Sequence, residues 1–101
     1  MQFYVVADED TVVGFRYVGI PGRIVTTPQD AAAELERLAA ERADLIIITT
    51  ERIANSVRQQ VNAIRISEEL PLIVEIPGPE GPSPDSPSLL KVIREAVGIK
   101  F

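Results

Sequence analysis

The run Phe3-Tyr4-Val5-Val6-Ala7-Asp8-Glu9-Asp10-Thr11-Val12-Val13-Gly14-Phe15-Arg16-Tyr17-Val18-Gly19-Ile20 opens on five apolar residues and then stops at three carboxylates. Five residues are too few for a helix, and β-formers dominate them, so residues 3–7 read as a strand buried on both faces. The carboxylates mark a turn. Asp10 is the expected cap of a helix starting at Thr11, because a carboxylate there accepts from the free amides of the first turn. Gly19 supplies a left-handed exit and Pro21 blocks continuation. Strand, acidic turn and short helix make the first half of a βαβ unit, with the strand in the middle of a sheet.

Working outward, residues 23–26 form a short, half-apolar strand suited to an edge. Thr27-Pro28-Gln29-Asp30 then has the order of a helix start: a capping hydroxyl, proline at the first helical position and acid in the first turn. This second helix is expected to reach about Arg42. Ala31, Leu35, Leu38 and Ala39 lie on its inner face, and Glu34, Glu36, Arg37 and Glu41 on a solvated one. Residues 44–49 carry four large aliphatics in a row and read as a third, buried strand. Thr50 caps a third helix with the stripe Ile53, Val57, Val61 and Ile64. Residues 72–76 are the fourth strand.

Helical segments between strands call for parallel pairing through right-handed crossovers. The expected fold is therefore α/β: a four-stranded parallel sheet, order 2-1-3-4, with helices on both faces and the two most apolar strands in the centre. Residues 1–76 make up this receiver-like domain. Residues 77–86 begin a stretch that, through Pro87, holds five of the eight prolines and two of the six glycines. So many missing amide donors and flexible points make it a spacer. Ser86 and Pro87 then open a last helix, within residues 87–101. Its Leu89, Leu90, Val92, Ile93, Ala96 and Val97 are too widely spread for one stripe, so one flank is available to a second protein.

Composition excludes much chemistry. With 101 residues the chain is one domain able to bury its own core. It has neither cysteine nor histidine, which removes thiol and imidazole chemistry and zinc sites built on them. The net charge of -5 argues against nucleic acid or an anionic membrane as partner. No signal peptide or membrane span is read, so a cytoplasmic protein is expected. A carboxylate cluster ending a central parallel strand is where magnesium sits in phosphate-handling α/β proteins. Here, however, the third strand ends Thr49-Thr50-Glu51 rather than in a phosphoacceptor Asp, and no nucleotide-binding glycine motif occurs. The serines have no base near them in sequence. No catalytic, cofactor-binding or metal-ligating residue is therefore assigned.

Four collinear segments carry a family resemblance. They are residues 7–20, with Gly14-Phe15-Arg16 and Gly19; Leu45-Ile46-Ile47-Ile48-Thr49-Thr50-Glu51-Arg52-Ile53-Ala54; Pro71-Leu72-Ile73-Val74-Glu75-Ile76-Pro77; and Leu90-Lys91-Val92-Ile93-Arg94-Glu95-Ala96-Val97-Gly98-Ile99. Together the chain resembles the F subunit of V-type (archaeal/vacuolar-type) ATPases over nearly its whole length. The resemblance implies a non-catalytic rotor part of the central stalk. Such a subunit clamps the coiled-coil D subunit, turns within the ring of catalytic A and B subunits and adjoins the connector to the membrane ring. It would lie on the cytoplasmic side, peripheral to the membrane, coupling or regulating ATP turnover with ion transport. Phe15 would pack inward, Gly14 would admit a close neighbour, and Arg16 is open between a stalk contact and a surface charge. Leu89, Val92, Ile93 and Phe101 complete the expected partner-binding set. Two other readings rest on the residues alone: a receiver-like signalling module that takes no phosphate, and an α/β regulator binding a small molecule at the strand ends.

Overall fold

Hydrogen-bonded pairing orders the strands β2-β1-β3-β4, all parallel, as expected. The structure is a computed structural model and describes residues 1–67 and 69–78. Its elements run β1 (Gln2–Ala7), α1 (Glu9–Arg16), β2 (Gly22–Ile24), α2 (Pro28–Ala40), β3 (Leu45–Thr50), α3 (Glu51–Ser56), α4 (Arg58–Ser67) and β4 (Leu72–Ile76). The spacer beyond Gly78 and the last helix read from the sequence lie outside the described residues.

The two faces of the sheet are covered unequally. Val6, Ile47, Tyr4, Leu45 and Ile73 point to the side carrying α2, α3 and α4. There they pack with Leu35, Leu38, Ala54, Val57, Val61 and Ile64 into the larger core. Val5, Ala7 and Ile48 point to the other side, where α1 contributes Val12 and Phe15 to a smaller core. Burial of β1 on both faces therefore holds for Val5, Val6 and Ala7, which are inaccessible, but not for Phe3, which is 47% exposed. The difference lies in coverage: α1 has eight residues, about 12 Å of helix, and cannot roof the whole of its face.

Three local readings change. The first helix is capped by Asp8 and not by Asp10, and it begins at Glu9, two residues earlier than expected. Because β1 runs to Ala7, Asp8 is the first residue outside the sheet, and its carboxylate meets the third amide of the helix. Thr27 and Thr50 cap α2 and α3 as read, each hydroxyl accepting from the amide three residues on. The expected third helix is two. Val57 leaves helical geometry at φ -132° and ψ 42°, and the Ser56 hydroxyl donates to the Ile53 carbonyl at 2.7 Å. Such a side-chain bond competes with the helical ladder. Ala54 lies fully in the core in line with Val57, Val61 and Ile64, while Ile53 sits between the two cores.

Glu34 is the third correction. It is only 4% exposed and does not belong to a solvated face. It stands between Ala31 and Leu38 at helical spacing, so α2 carries it inward. Burial is tolerated because its oxygens are bonded: Arg37 Nε and Nη2 donate at 2.8 Å each, and the Tyr4 hydroxyl donates at 3.0 Å from β1. The Arg37 bonds hold the Glu34 carboxyl below the usual carboxylate range against the opposing effect of burial. Burial and the carboxylate together raise the Tyr4 phenol.

Candidate functional site

At the carboxyl ends of the strands lies a crevice of about 710 Å³, bounded by the acidic turn, the loop after β2 and the start of α3. Its carboxylates are partly committed. Thr11 uses both oxygens of Asp8, the backbone N–H donating to Oδ2 at 3.1 Å and the hydroxyl to Oδ1 at 2.8 Å. Across the crevice, the Thr50 hydroxyl accepts from the Ile53 amide at 3.3 Å. Thr49 is buried beneath, and its hydroxyl has no hydrogen-bond partner among the described residues. Among the described residues no group of three or more carboxylates is arranged to hold a metal ion. Asp8 and Thr50, at the ends of the two central strands, are thus capping residues, and among the described residues Arg52 is the cation that lines the crevice beside the carboxylates.

A second surface is the outer side of α1 and the turn after it. Val12 and Phe15 face the sheet. At 100° per residue this puts Asp10, Gly14 and Tyr17 on the opposite side, with Val18 next to them. Tyr17 is 87% and Val18 73% exposed, a pair of large apolar side chains in water. A side chain at Gly14 would meet nothing within 4 Å among the described residues. Internal packing therefore does not demand glycine there, although glycine inside a helix costs about 0.5–1 kcal/mol relative to alanine. Gly19, with φ +86°, makes the left-handed exit that the sequence indicated. Arg16, exposed, is the last residue of α1 and adjoins the apolar pair. Of the expected partner-binding residues, Arg16 alone is described; Leu89, Val92, Ile93 and Phe101 lie outside the described residues. Sequence reasoning passed over Tyr17 and Val18. Their signal was present: they follow Gly14 by three and four positions, on the side opposite Val12 and Phe15.

Residues 3–93 match the family model described as ATP synthase (F/14-kDa) subunit. The chain belongs to that family. It is similar to the F subunit of the A-type ATP synthase of Methanothermobacter thermautotrophicus, at 36% identity covering 96% of this chain and 92% of the relative. The corresponding A-type F subunit of Methanococcus maripaludis strain C5 is 38% identical, covering 98% and 97%. That of Methanocaldococcus jannaschii is 32% identical, covering 100% and 99%. Membership makes the chain an accessory component of a rotary ATPase and not an enzyme in itself. No helix among the described residues is long and apolar enough to cross a membrane.

Proposed function

We propose that this member of the family is a central-stalk component. It binds the coiled-coil shaft through the outer side of α1 and couples or regulates ATP turnover with ion transport. The observation that supports this most is the surface of Gly14, Arg16, Tyr17 and Val18. It combines an open glycine on a helix, two exposed apolar side chains and a cation at the helix end. Glycine admits the backbone of a crossing helix, tyrosine and arginine are the residue types that most often dominate interface energies, and Val18 extends the apolar area. A long helix of a coiled coil has the shape for such a ridge. Asp10 at the far end of the same side favours a cation on the partner there.

In this reading the protein is peripheral to the membrane on the cytoplasmic side and turns within the ring of catalytic A and B subunits, next to the connector to the membrane ring. Leu89, Val92, Ile93 and Phe101 supply a second contact, with the shaft or the ring. The two readings that the residues alone left open, a signalling receiver and a small-molecule regulator, have no specific observation in their favour once family membership is known. Recovery of the tagged chain from its native cells, read by mass spectrometry, tests the proposal. The coiled-coil and A/B subunits should come down with the wild type and be depleted with a Gly14→Leu and Tyr17→Asp double variant. Full recovery with that variant would move the interface elsewhere.

A further inference from the structure

A groove of about 330 Å³ runs between α2 and α4 on the larger-core side, across the sheet from α1. Leu35, Ile64 and Pro71 make its floor and are buried. Ala39 on α2 and Ala63 on α4 line it from either side, and two methyl groups leave the space between the helices unfilled. The charge of its rim is of one sign. Glu36 on α2 and Glu69 ahead of β4 both border the groove, and no lysine or arginine lines it among the described residues. Both carboxylates are weakly engaged. Glu36 accepts from Gln60 Nε2 at 3.4 Å, near the outer limit of a hydrogen bond. Glu69 meets Arg42 at 3.8 Å with both side chains well exposed, the kind of pair that contributes little.

We propose that this groove is the docking site for a helix of a partner protein, one that carries a row of aliphatic side chains flanked by lysine or arginine. Charge complementarity selects that occupant. Its cations would give Glu36 and Glu69 the short, charge-assisted bonds that Gln60 and Arg42 do not, and their aliphatic stems would lie along the apolar floor. An acidic helix of the same shape would meet like charge on the rim. Shape selects a helix. The cleft between two helices lying side by side accepts a third at the ordinary interaxial distance of about 8–10 Å. The ten residues of α4 measure about 15 Å, close to three turns, so the anchors of the occupant fall at spacings of i, i+3 and i+7. The proposal does not rest on the stalk reading. The groove is separate from the surface of Gly14, Arg16, Tyr17 and Val18, and its occupant can be held while that surface is covered.

Two short synthetic helical peptides serve as probes. Both carry leucine at i, i+3 and i+7, and they differ only in the flanking residues, lysine in one and glutamate in the other. Measured by fluorescence anisotropy with the full-length chain, the lysine peptide should bind at least about tenfold more tightly than the glutamate peptide, and less tightly as salt is raised. Ala63 is exposed, so Ala63→Gln fills the groove without changing charge or disturbing the core. It should weaken the lysine peptide at least about tenfold with the melting temperature unchanged. Glu36→Gln with Glu69→Gln should remove most of the preference between the peptides. Equal binding of the two peptides, indifference to Ala63→Gln, or no binding at all overturns the proposal. A photo-cross-linking residue in place of Gln59, which also lines the groove, reads the natural occupant in intact cells. The captured segment, sequenced by mass spectrometry, should be a basic amphipathic helix of another protein. Capture of this chain's own residues, of a second copy, or of an acidic segment would equally overturn it.

Discussion

Replacing Asp8 by alanine removes the first anchor of α1, and the geometry sets the size of the effect. Both carboxylate oxygens are engaged by Thr11, one by its amide at 3.1 Å and one by its hydroxyl at 2.8 Å. An N-cap lost to alanine costs about 0.5–2 kcal/mol. The upper half of that range is expected here. The helix has only eight residues, and its Val12 and Phe15 cover Val5, Ala7 and Ile48, so fraying the first turn loosens the smaller core. At about 4–8 °C of melting temperature per kcal/mol for a domain of this size, Asp8→Ala should melt about 5–16 °C below wild type. Asp8→Ser, which keeps an acceptor, should recover most of the loss. Asp10→Ala removes only the attraction of an exposed carboxylate for the helix N-terminus and should cost less than about 1 kcal/mol. Thermal unfolding followed by circular dichroism, with and without magnesium, separates a capping residue from a metal ligand. If Asp10→Ala were the costlier change, or if magnesium stabilised wild type but neither variant, the capping account of the acidic turn would be wrong.

Three further outcomes follow from the interior. Glu34→Ala should destabilise by about 1–2 kcal/mol in urea unfolding, because the Tyr4 hydroxyl loses its acceptor and α2 its inward tie. Glu34 and Glu75 both have folded-state pKa values lowered below the ordinary 4.5, first by hydrogen bonds from Arg37 and Arg58 respectively. A lowered carboxylate contributes stability above its unfolded pKa and loses it as pH falls through the folded one, so unfolding midpoints should drop as pH falls below about 4.5, and less steeply in a Glu34→Gln and Glu75→Gln double variant. Gly22→Ala would place a Cβ 2.6 Å from the Val5 carbonyl oxygen, a backbone atom of the paired strand. It should cost more than about 1 kcal/mol and should weaken protection of the β2 amides in hydrogen exchange.

Strand order and the caps at Thr27 and Thr50 were legible because each rests on a local rule: apolar runs for central strands, a hydroxyl three residues before a free amide for caps. The acidic turn defeated the same rule, since Asp8, Glu9 and Asp10 all qualify. What decides among them is where pairing of β1 with its neighbours ends, a property of the sheet. Charge alone assigns Glu34 to solvent, although its spacing from Ala31 and Leu38 places it inward. Its bonding partner Tyr4 is thirty residues away on another element. Val57 fits an unbroken helical stripe, and only the Ser56 side-chain bond and the demands of packing reveal the break. The partner surface was visible in part, through Gly14 and Arg16. The exposure of Tyr17 and Val18 depends on how α1 lies on the sheet, which spacing does not state.

Binding of the purified full-length chain to the coiled-coil shaft protein of the same ATPase, measured by isothermal titration calorimetry, tests the central-stalk role most directly. The expected result is a one-to-one complex that Tyr17→Ala weakens about thirtyfold, the effect of removing a side chain worth about 2 kcal/mol at an interface, and that Gly14→Leu weakens by blocking close approach. Glu36→Ala, on α2 across the sheet, should leave affinity unchanged. Absence of binding by the wild-type chain, or affinity indifferent to Gly14 and Tyr17, would contradict it.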